Sequence, residues 1–309
     1  MDIQRVAVSG STGLIGSALC ERLITAGHRL LPVVRVKQSE EETGPEKSIL
    51  WDPAHGLLAP QQLNHIDCLI HLAGRSIASA RWTAKEKQRI RDSRVRATRL
   101  LVEQICQLDT PPKTFISASA IGIYGDHAAE EVDETTPRGD DFLADVASDW
   151  EDACQPLVQF GVRVVHPRLG IVLSREGGAL AKLLPLFRWM LGGPVGSGKQ
   201  YWSWVALLDV VSAIEWMMRE TSASGAYNVV APQRTSNAEF TKTLARQLGV
   251  PAILPAPAWG MRLALGEMAD ALLLSSCRVV PRRLLDAGFQ FQYPQLGPFL
   301  AAELEHRLI

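Results

Sequence analysis

Three glycines near the N-terminus stand at a spacing that brings backbone N–H groups to a phosphate. In Arg5-Val-Ala-Val-Ser-Gly10-Ser-Thr-Gly13-Leu-Ile-Gly16 a short β-branched run leads into GxxGxxG, and an apolar-periodic segment from Leu14 to Ala26 follows. A β-carbon would block the approach of an anion to that backbone. The first turn of the helix aims its positive dipole end at the same place. Strand, glycine turn and helix in this order are the context a dinucleotide pyrophosphate requires; without them the glycines would only join a strand to a helix. The expected cofactor contacts here are Gly10, Thr12, Gly13, Leu14, Ile15 and Gly16.

Which dinucleotide binds is decided further along. About twenty positions after the glycines an acidic residue would bond the adenine-ribose 2′-OH and select NAD. This chain has Val33-Val34-Arg35 there, with Lys37 beyond. Arginine forks onto phosphate, so the expected cofactor is NADP; the plainer alternative is a solvated arginine after a strand. In His71-Leu72-Ala73-Gly74 the small residues would let backbone pass beside the cofactor's ribose, which adds Leu72, Ala73 and Gly74 to the contacts. Ile116-Ser-Ala-Ser-Ala-Ile-Gly-Ile-Tyr-Gly125 sets Ser117, Ser119 and Tyr124 beyond the carboxyl end of a strand, on the nicotinamide side of the crevice. Ser119 and Tyr124 are the candidates for proton chemistry, against the reading of Tyr124 as a packed core residue. Asp141, Asp145 and Arg168 lie nearby in this reading, Asp145 as a solvated helix residue.

Two further patterns are decoys. Gly193-Pro-Val-Gly-Ser-Gly198-Lys199 matches most of a Walker A loop, but Gln200 stands where Ser or Thr would hold magnesium. The seven histidines show no HxxxH or HxH spacing, so no metal site is expected. The five cysteines are scattered, odd in number and never in CxxC, which argues against a disulfide framework and for a reducing, cytoplasmic compartment. A net charge of -1 gives no electrostatic reason to expect nucleic acid or an anionic membrane surface. The apolar run from Val205 to Met218 is interrupted by Asp209 and Glu215 and is no membrane span. The N-terminus enters its first strand directly, leaving no room for a signal peptide.

The elements that must hold these residues alternate through the first half. Leu30 to Val34, Ser48 to Trp51, Cys68 to Leu72, Thr114 to Ala118 and Arg163 to His166 read as strands, the last closed by Pro167. A long basic helix opens at the capping box Thr83-Ala-Lys-Glu86, and Asp149 to Gln159 reads as another helix. Repeated βα units imply a parallel, doubly wound sheet. With 309 residues, 47% of them hydrophobic, a sizeable core can form. After Pro167 glycine and proline cluster and the alternation ends. Leu207 to Arg219 reads as a helix and Ala226 to Val230 as a strand returning to the sheet. Ser236-Asn-Ala-Glu239 caps a helix to about Leu248. The expected fold is α/β: a Rossmann doubly wound parallel sheet with a smaller C-terminal substrate lobe. Residues 1–166, with a crossback segment about 205–230, form the NADP-binding part and 167–309 the lobe.

With these residues the chain resembles the extended short-chain dehydrogenase/reductase superfamily of nucleotide-sugar epimerases and dehydratases. It is most similar to an "epimerase family" branch, some of whose members were labelled SulA-like cell-division-inhibitor homologues. The markers include His71-Leu-Ala-Gly74, Arg81-Trp-Thr83, Asp92-Ser-Arg94, Asp149-Trp-Glu151, Arg168-Leu-Gly-Ile-Val-Leu173, Ser203-Trp204 and Gly266-Glu267. They span nearly the whole chain. The resemblance implies a small C-terminal domain and makes Arg94 a further cofactor contact. It also exposes a departure. The superfamily's Tyr-x-x-x-Lys pair, whose lysine lowers the tyrosine's pKa, is replaced by Phe142-Leu-Ala-Asp-Val146. After Ser-Trp, where the branch has His and paired Asp, Ala206 and Leu208 replace two of them and Asp209 remains. The expectation is an NADP(H)-binding oxidoreductase or epimerase-like (isomerase) protein acting on an unidentified small molecule, for which a nucleotide sugar is one candidate. The alternative is a catalytically silent NADP-binding protein that regulates or binds a partner, for example in cell division. Substrate, partner and oligomeric state are not readable.

Overall fold

The computed structural model describes residues 3–36, 48–52, 55–57, 59–252 and 254–305, so Lys37 lies outside the described residues. Its centre is a nine-stranded sheet. In chain order the strands are β1 (Arg5–Ser9), β2 (Arg29–Arg35), β3 (Ile49–Asp52), β4 (Gly56–Leu57), β5 (Cys68–His71), β6 (Thr114–Ser117) and β7 (Ser119–Ala120). After β8 (Glu131–Val132), which lies in a separate two-stranded sheet, come β9 (Arg163–Leu169), β10 (Ile171–Ser174), β11 (Trp204–Ala206), β12 (Gly225–Val229) and β13 (Arg278–Val279). The sheet order is β12-β9-β6-β5-β1-β2-β3-β4, with β7 beside β9; β4 alone among its described strands runs antiparallel. Buried on both faces, such strands carry near-continuous apolar runs.

Successive side chains leave a strand on opposite faces. Val6 and Val8 accordingly pack with Leu19 and Leu23 of α1 (Leu14–Thr25) and with Val210, Ile214 and Met217 of α7 (Leu207–Arg219). Between them Ala7 joins Val33, Leu69 and Phe115 on the other face, against Leu101, Val102 and Ile105 of α3 (Ala97–Ile105). The two layers of a doubly wound fold follow from this alternation.

The long helix expected from Thr83 is divided. It consists of α2 (Ala84–Arg91), a π-helical turn Asp92–Arg96 and α3. Thr83 Oγ1 accepts the Glu86 N–H at 3.2 Å, but the Glu86 carboxylate turns to Arg75 instead of closing the box. The helix expected over Asp149 to Gln159 begins earlier, as α4 (Phe142–Asp152), because Asp141 caps it by accepting the Ala144 N–H at 2.8 Å. A new helix, α5 (Gln155–Gln159), then starts with Pro156 in its first turn, where the missing N–H costs nothing.

Pro167 does not close its strand. β9 runs on to Leu169, and on one flank β6 pairs with Arg163 to Val165 while β7 pairs with Arg168 and Leu169. Pro167 sits opposite the break between them, where a strand tolerates a residue without a donor. On the other flank β12 pairs with Val165 to Leu169, after the chain has passed through β10, α6 (Gly178–Arg188), β11 and α7. Arg163 holds the end of that excursion, donating to the carbonyls of Met217, Met218, Glu220 and Ala223.

A second core gathers Leu180, Leu184 and Phe187 of α6, Trp202 and Trp204 at and before β11, Phe240 and Leu244 of α8 (Asn237–Leu248), and Phe299 and Leu300. The capping box of α8 is complete, with Ser236 and Glu239 bonded reciprocally. The small C-terminal domain continues with α9 (Ala258–Leu265) and short helices, and β13 pairs with β8. Among the described residues no helix is long and apolar enough to cross a membrane.

Candidate functional site

The glycines of the first turn have separate reasons to be there. Gly10 has φ +72°, and a β-carbon on it would lie 2.9 Å from Ala73 N and Leu72 C. One on Gly16 would lie 2.0 Å from Gly10 O, so this residue lets α1 pack onto the loop. Gly13 differs: its φ is -81° and its β-carbon would meet only Gly10 O, at 3.3 Å. The fold asks little of Gly13, and its open, exposed side is the one a phosphate would approach. The α1 N-terminus has no side-chain cap and no acidic residue in its first turn. Gly13 N–H is used within the loop, donating to Gly10 O at 3.0 Å, so the first-turn N–H groups of Leu14 and Ile15 are the donors left open, as helix N-termini leave them. Gly177, just before α6, packs on Leu14 and covers the loop from the second lobe.

Arg94 comes off the π-helical turn, a distortion common at functional sites. Its guanidinium lies 5.2 Å from the Trp150 ring, and a β-carbon on Gly74 would be 3.4 Å from its Cζ. It donates to Ile90 O at 3.3 Å and Ser93 Oγ at 3.5 Å, and among the described residues no carboxylate pairs with it. Burial lowers its pKa to about 10. A desolvated cation without a counter-ion beside Gly74 is a site that fits an anion. Arg35, exposed at the end of β2, has no hydrogen-bond or ion-pair partner among the described residues.

Ser119 and Tyr124 are both fully buried and joined through one ion pair. Ser119 Oγ donates to Glu151 Oε1 at 2.6 Å; Arg168 donates to both Glu151 oxygens and to the Tyr124 hydroxyl at 2.9 Å. Tyr124 in turn donates to Asn228 Oδ1 at 2.7 Å. Burial raises the Tyr124 phenol to about 12, Arg168 opposing. Burial also works against ionisation of Glu151, but the Arg168 fork outweighs it and leaves the carboxyl below its ordinary value. Ser117 Oγ and His166 Nδ1 are buried close by without a partner among the described residues. Asp141 is the cap of α4, and Asp145 pairs with Arg138 at 2.6 Å.

At the position of the absent tyrosine the surroundings are apolar. Phe142 meets Trp82 edge-to-face at 5.3 Å, in a cluster with Ile77, Leu143 and, from the C-terminal domain, Leu265 and Met268. Lys87 Nζ lies 4.9 Å from the Phe142 ring and pairs with Glu267 at 2.5 Å.

A family model described as the NAD dependent epimerase/dehydratase family matches residues 6–230, and a domain of unknown function, DUF1731, matches residues 256–303. The chain belongs to the NAD dependent epimerase/dehydratase family. A Mycobacterium tuberculosis epimerase family protein is 40% identical over 295 residues, 96% of each chain. The human epimerase family protein SDR39U1 is 35% identical over 299 residues, 96% of this chain and 98% of its own. The crystal structure of human SDR39U1 with NADPH has a TM-score of 0.86 at 33% identity, covering 97% and 99% of the two chains. A nucleoside-diphosphate sugar epimerase from Corynebacterium glutamicum has a TM-score of 0.80 at 35% identity, with 59% of its chain covered.

Within this family fold several residues carry roles their sequence did not disclose. Glu151 was visible as a branch marker, yet its place between Ser119 and Arg168 depends on pairing between β7 and β9. Asp209 does not face the crevice: it is buried and accepts the N–H groups of Gln292 and Tyr293 at 2.6 and 3.0 Å. In the Walker-like loop Val195 N–H donates to Asn237, Gly196 N–H to Ala256 and Gly198 N–H to Val195, so these backbone donors are used within the fold. Among the described residues no group of three or more His, Cys, Asp or Glu could hold a metal ion.

Proposed function

We propose that the chain binds NADP(H) and serves as a cytoplasmic oxidoreductase, or an epimerase-like isomerase, on a small molecule, without a Tyr-Lys pair. The observation that carries this reading is Arg94, a desolvated guanidinium with no carboxylate partner among the described residues, packed on Gly74. The cofactor's diphosphate would lie on the open α1 N-terminus, with Gly10 to Gly16 and Leu72 to Gly74 around it. Its 2′-phosphate would meet Arg35. The human relative solved with NADPH supports the choice of NADP. Nicotinamide supplies or accepts a hydride when bound; this chain's residues would orient it and exclude water. Ser119 is the candidate hydroxyl for a substrate hydrogen bond on the nicotinamide side; because it is buried and its proton goes to Glu151, it would have to accept that bond or exchange Glu151 for the substrate.

Phe142 and the high phenol pKa of Tyr124 favour a second reading, a silent cofactor-binding protein that regulates or docks on a partner. Calorimetric titration with NADPH and NADH tests the cofactor, and substrate-dependent NADPH oxidation separates the two readings. NADPH should bind about 10- to 150-fold more tightly, the equivalent of one charge-assisted bond of roughly 1.5–3 kcal/mol. Equal affinities would sink the NADP assignment.

A further inference from the structure

Most cations around the Phe142 cluster are already matched. Arg75 forks onto Glu86 at 2.5 and 3.2 Å, and Arg89 lies 3.5 Å from the same carboxylate. Lys87 pairs with Glu267, and Arg262 with Asp270. Arg81 differs: it is exposed, and among the described residues it has no hydrogen-bond or ion-pair partner. A β-carbon on Gly266 would lie 3.1 Å from its Nε, 3.3 Å from Nη2 and 3.6 Å from Cζ, so Gly266 faces the Nε–Nη2 edge of the guanidinium. Any side chain at 266 would close on that edge. Gly266 ends α9 at φ +64° and ψ -143°, a conformation nearly confined to glycine. The C-terminal end of α9 attracts a cation, but with only about half a charge.

The neighbours of Gly266 set this fork beside the candidate site. Leu265 packs in the cluster of Phe142, Trp82 and Met268. Glu267 holds Lys87, whose Nζ lies 4.9 Å from the Phe142 ring. Trp82, next to Arg81 in the chain, meets Phe142 edge-to-face. One uncompensated positive charge therefore stands at the edge of an apolar cluster, where the family's tyrosine would meet substrate.

We infer that the substrate is a carboxylate on an apolar carbon frame, its carboxylate gripped by Arg81 and its frame laid against the Phe142 cluster; for the place of reaction this rests on the cofactor reading above. A guanidinium matches a planar carboxylate in both shape and charge. A nucleotide sugar fits less well: its diphosphate brings a second charge to a single free cation, and its hydroxyls would face Phe142.

Cyclohexanecarboxylate, cyclohexylmethanol, cyclohexyl phosphate and UDP-glucose are titrated calorimetrically into the full chain at constant ionic strength, with and without saturating NADPH. The carboxylate should bind about 10-fold or more tightly than the alcohol, the equivalent of one charge-assisted bond. Arg81→Gln, at an exposed position and so tolerated by the fold, should remove that advantage and leave NADPH affinity unchanged. Arg81→Lys should keep only part of it, since an ammonium has no fork. An alcohol that binds as tightly, a carboxylate unaffected by Arg81→Gln, or no saturable carboxylate binding overturns the inference. So does tighter binding of cyclohexyl phosphate or UDP-glucose than of the carboxylate, which gives the fork to a phosphate. A carboxylate advantage that depends on Arg81, in a chain that fails to bind NADPH, supports the carboxylate site and removes the cofactor reading alone.

Discussion

Arg168 grips Glu151 through two parallel bonds, Nε to Oε1 at 2.8 Å and Nη2 to Oε2 at 2.9 Å. The pair joins β9 to α4 across the end of the sheet, and the hydroxyls of Ser119 and Tyr124 each hang on one member of it. Removing one ion of a buried pair strands the other, a loss of about 3–5 kcal/mol. Glu151→Ala should therefore destabilise far more than Tyr124→Phe, which removes hydrogen bonds contributing about 1 kcal/mol each. Denaturant midpoints of both variants check the ranking; equal losses would mean the ion pair is solvated.

Ser119→Ala and Tyr124→Phe also separate structure from proton chemistry. If the chain is an enzyme whose proton passes through this segment, Ser119→Ala should lose substrate-dependent NADPH oxidation by about 10²–10⁴-fold, with NADPH binding intact. Full activity in both variants would take the segment out of the reaction.

Arg35 and Arg94 should fail differently. Arg35→Ala is expected to weaken NADPH by about 10-fold or more and leave NADH unchanged, since only one carries the 2′-phosphate. Arg94→Ala, beside Gly74 rather than the end of β2, should weaken both cofactors alike. Calorimetry on the two variants decides, and a NADPH-selective loss at Arg94 would move the 2′-phosphate to that side.

No ordinary UDP-glucose 4-epimerase activity is expected, because neither Phe142 nor Val146 can take a hydroxyl proton as hydride leaves. Turnover on the order of 10 s⁻¹ would place the acid/base elsewhere.

His71 should make the fold sensitive to mild acid. It is buried between Ser9 Oγ at 2.6 Å and Thr98 Oγ1 at 3.1 Å, and burial lowers its pKa to about 4. An unfolded histidine, near 6.5, binds its proton first, so stability falls as pH drops below about 6.5 and this loss is complete near pH 4. The full contribution is about 3 kcal/mol; the lowered pKa values of His28 and His166 add in the same direction. Denaturant midpoints between pH 7 and pH 4.5 should slope less in His71→Gln than in the parent, carboxylates being common to both.

Local patterns made much of this architecture legible. GxxGxxG after a β-branched run marked β1 and α1, and Ser236 with Glu239 marked the start of α8, because their causes lie within a few residues. α4 starts at Phe142, ahead of the Asp149 expected from the sequence, where Asp141 caps it; the signal was present, since Phe142, Leu143, Val146, Ala147 and Trp150 recur at helical spacing and Asp145 itself reads as a helix residue. Pro167 misled because its tolerance depends on a gap between two other strands. The Ser119–Glu151–Arg168–Tyr124 chain could not be read either, since it joins residues up to 49 positions apart through strand register. Glu86 had the right spacing for a capping box, yet Arg75 took its carboxylate, a competition that spacing does not record.

The placement of β12 at the sheet edge also sets when the molecule can be finished. β9 emerges from the ribosome with one flank open, and its partner Gly225–Val229 follows only after β10, α6, β11 and α7. Arg283, near the end, then clamps β12 through Ala226 O at 2.5 Å and the Tyr227 ring at 3.9 Å. Such non-local closure is slow, and an open edge is a template for pairing with other chains. A nascent chain halted before residue 225 would carry most of the cofactor-side sheet with β9 unprotected, and co-translational aggregation would be the expected fate of a truncated transcript.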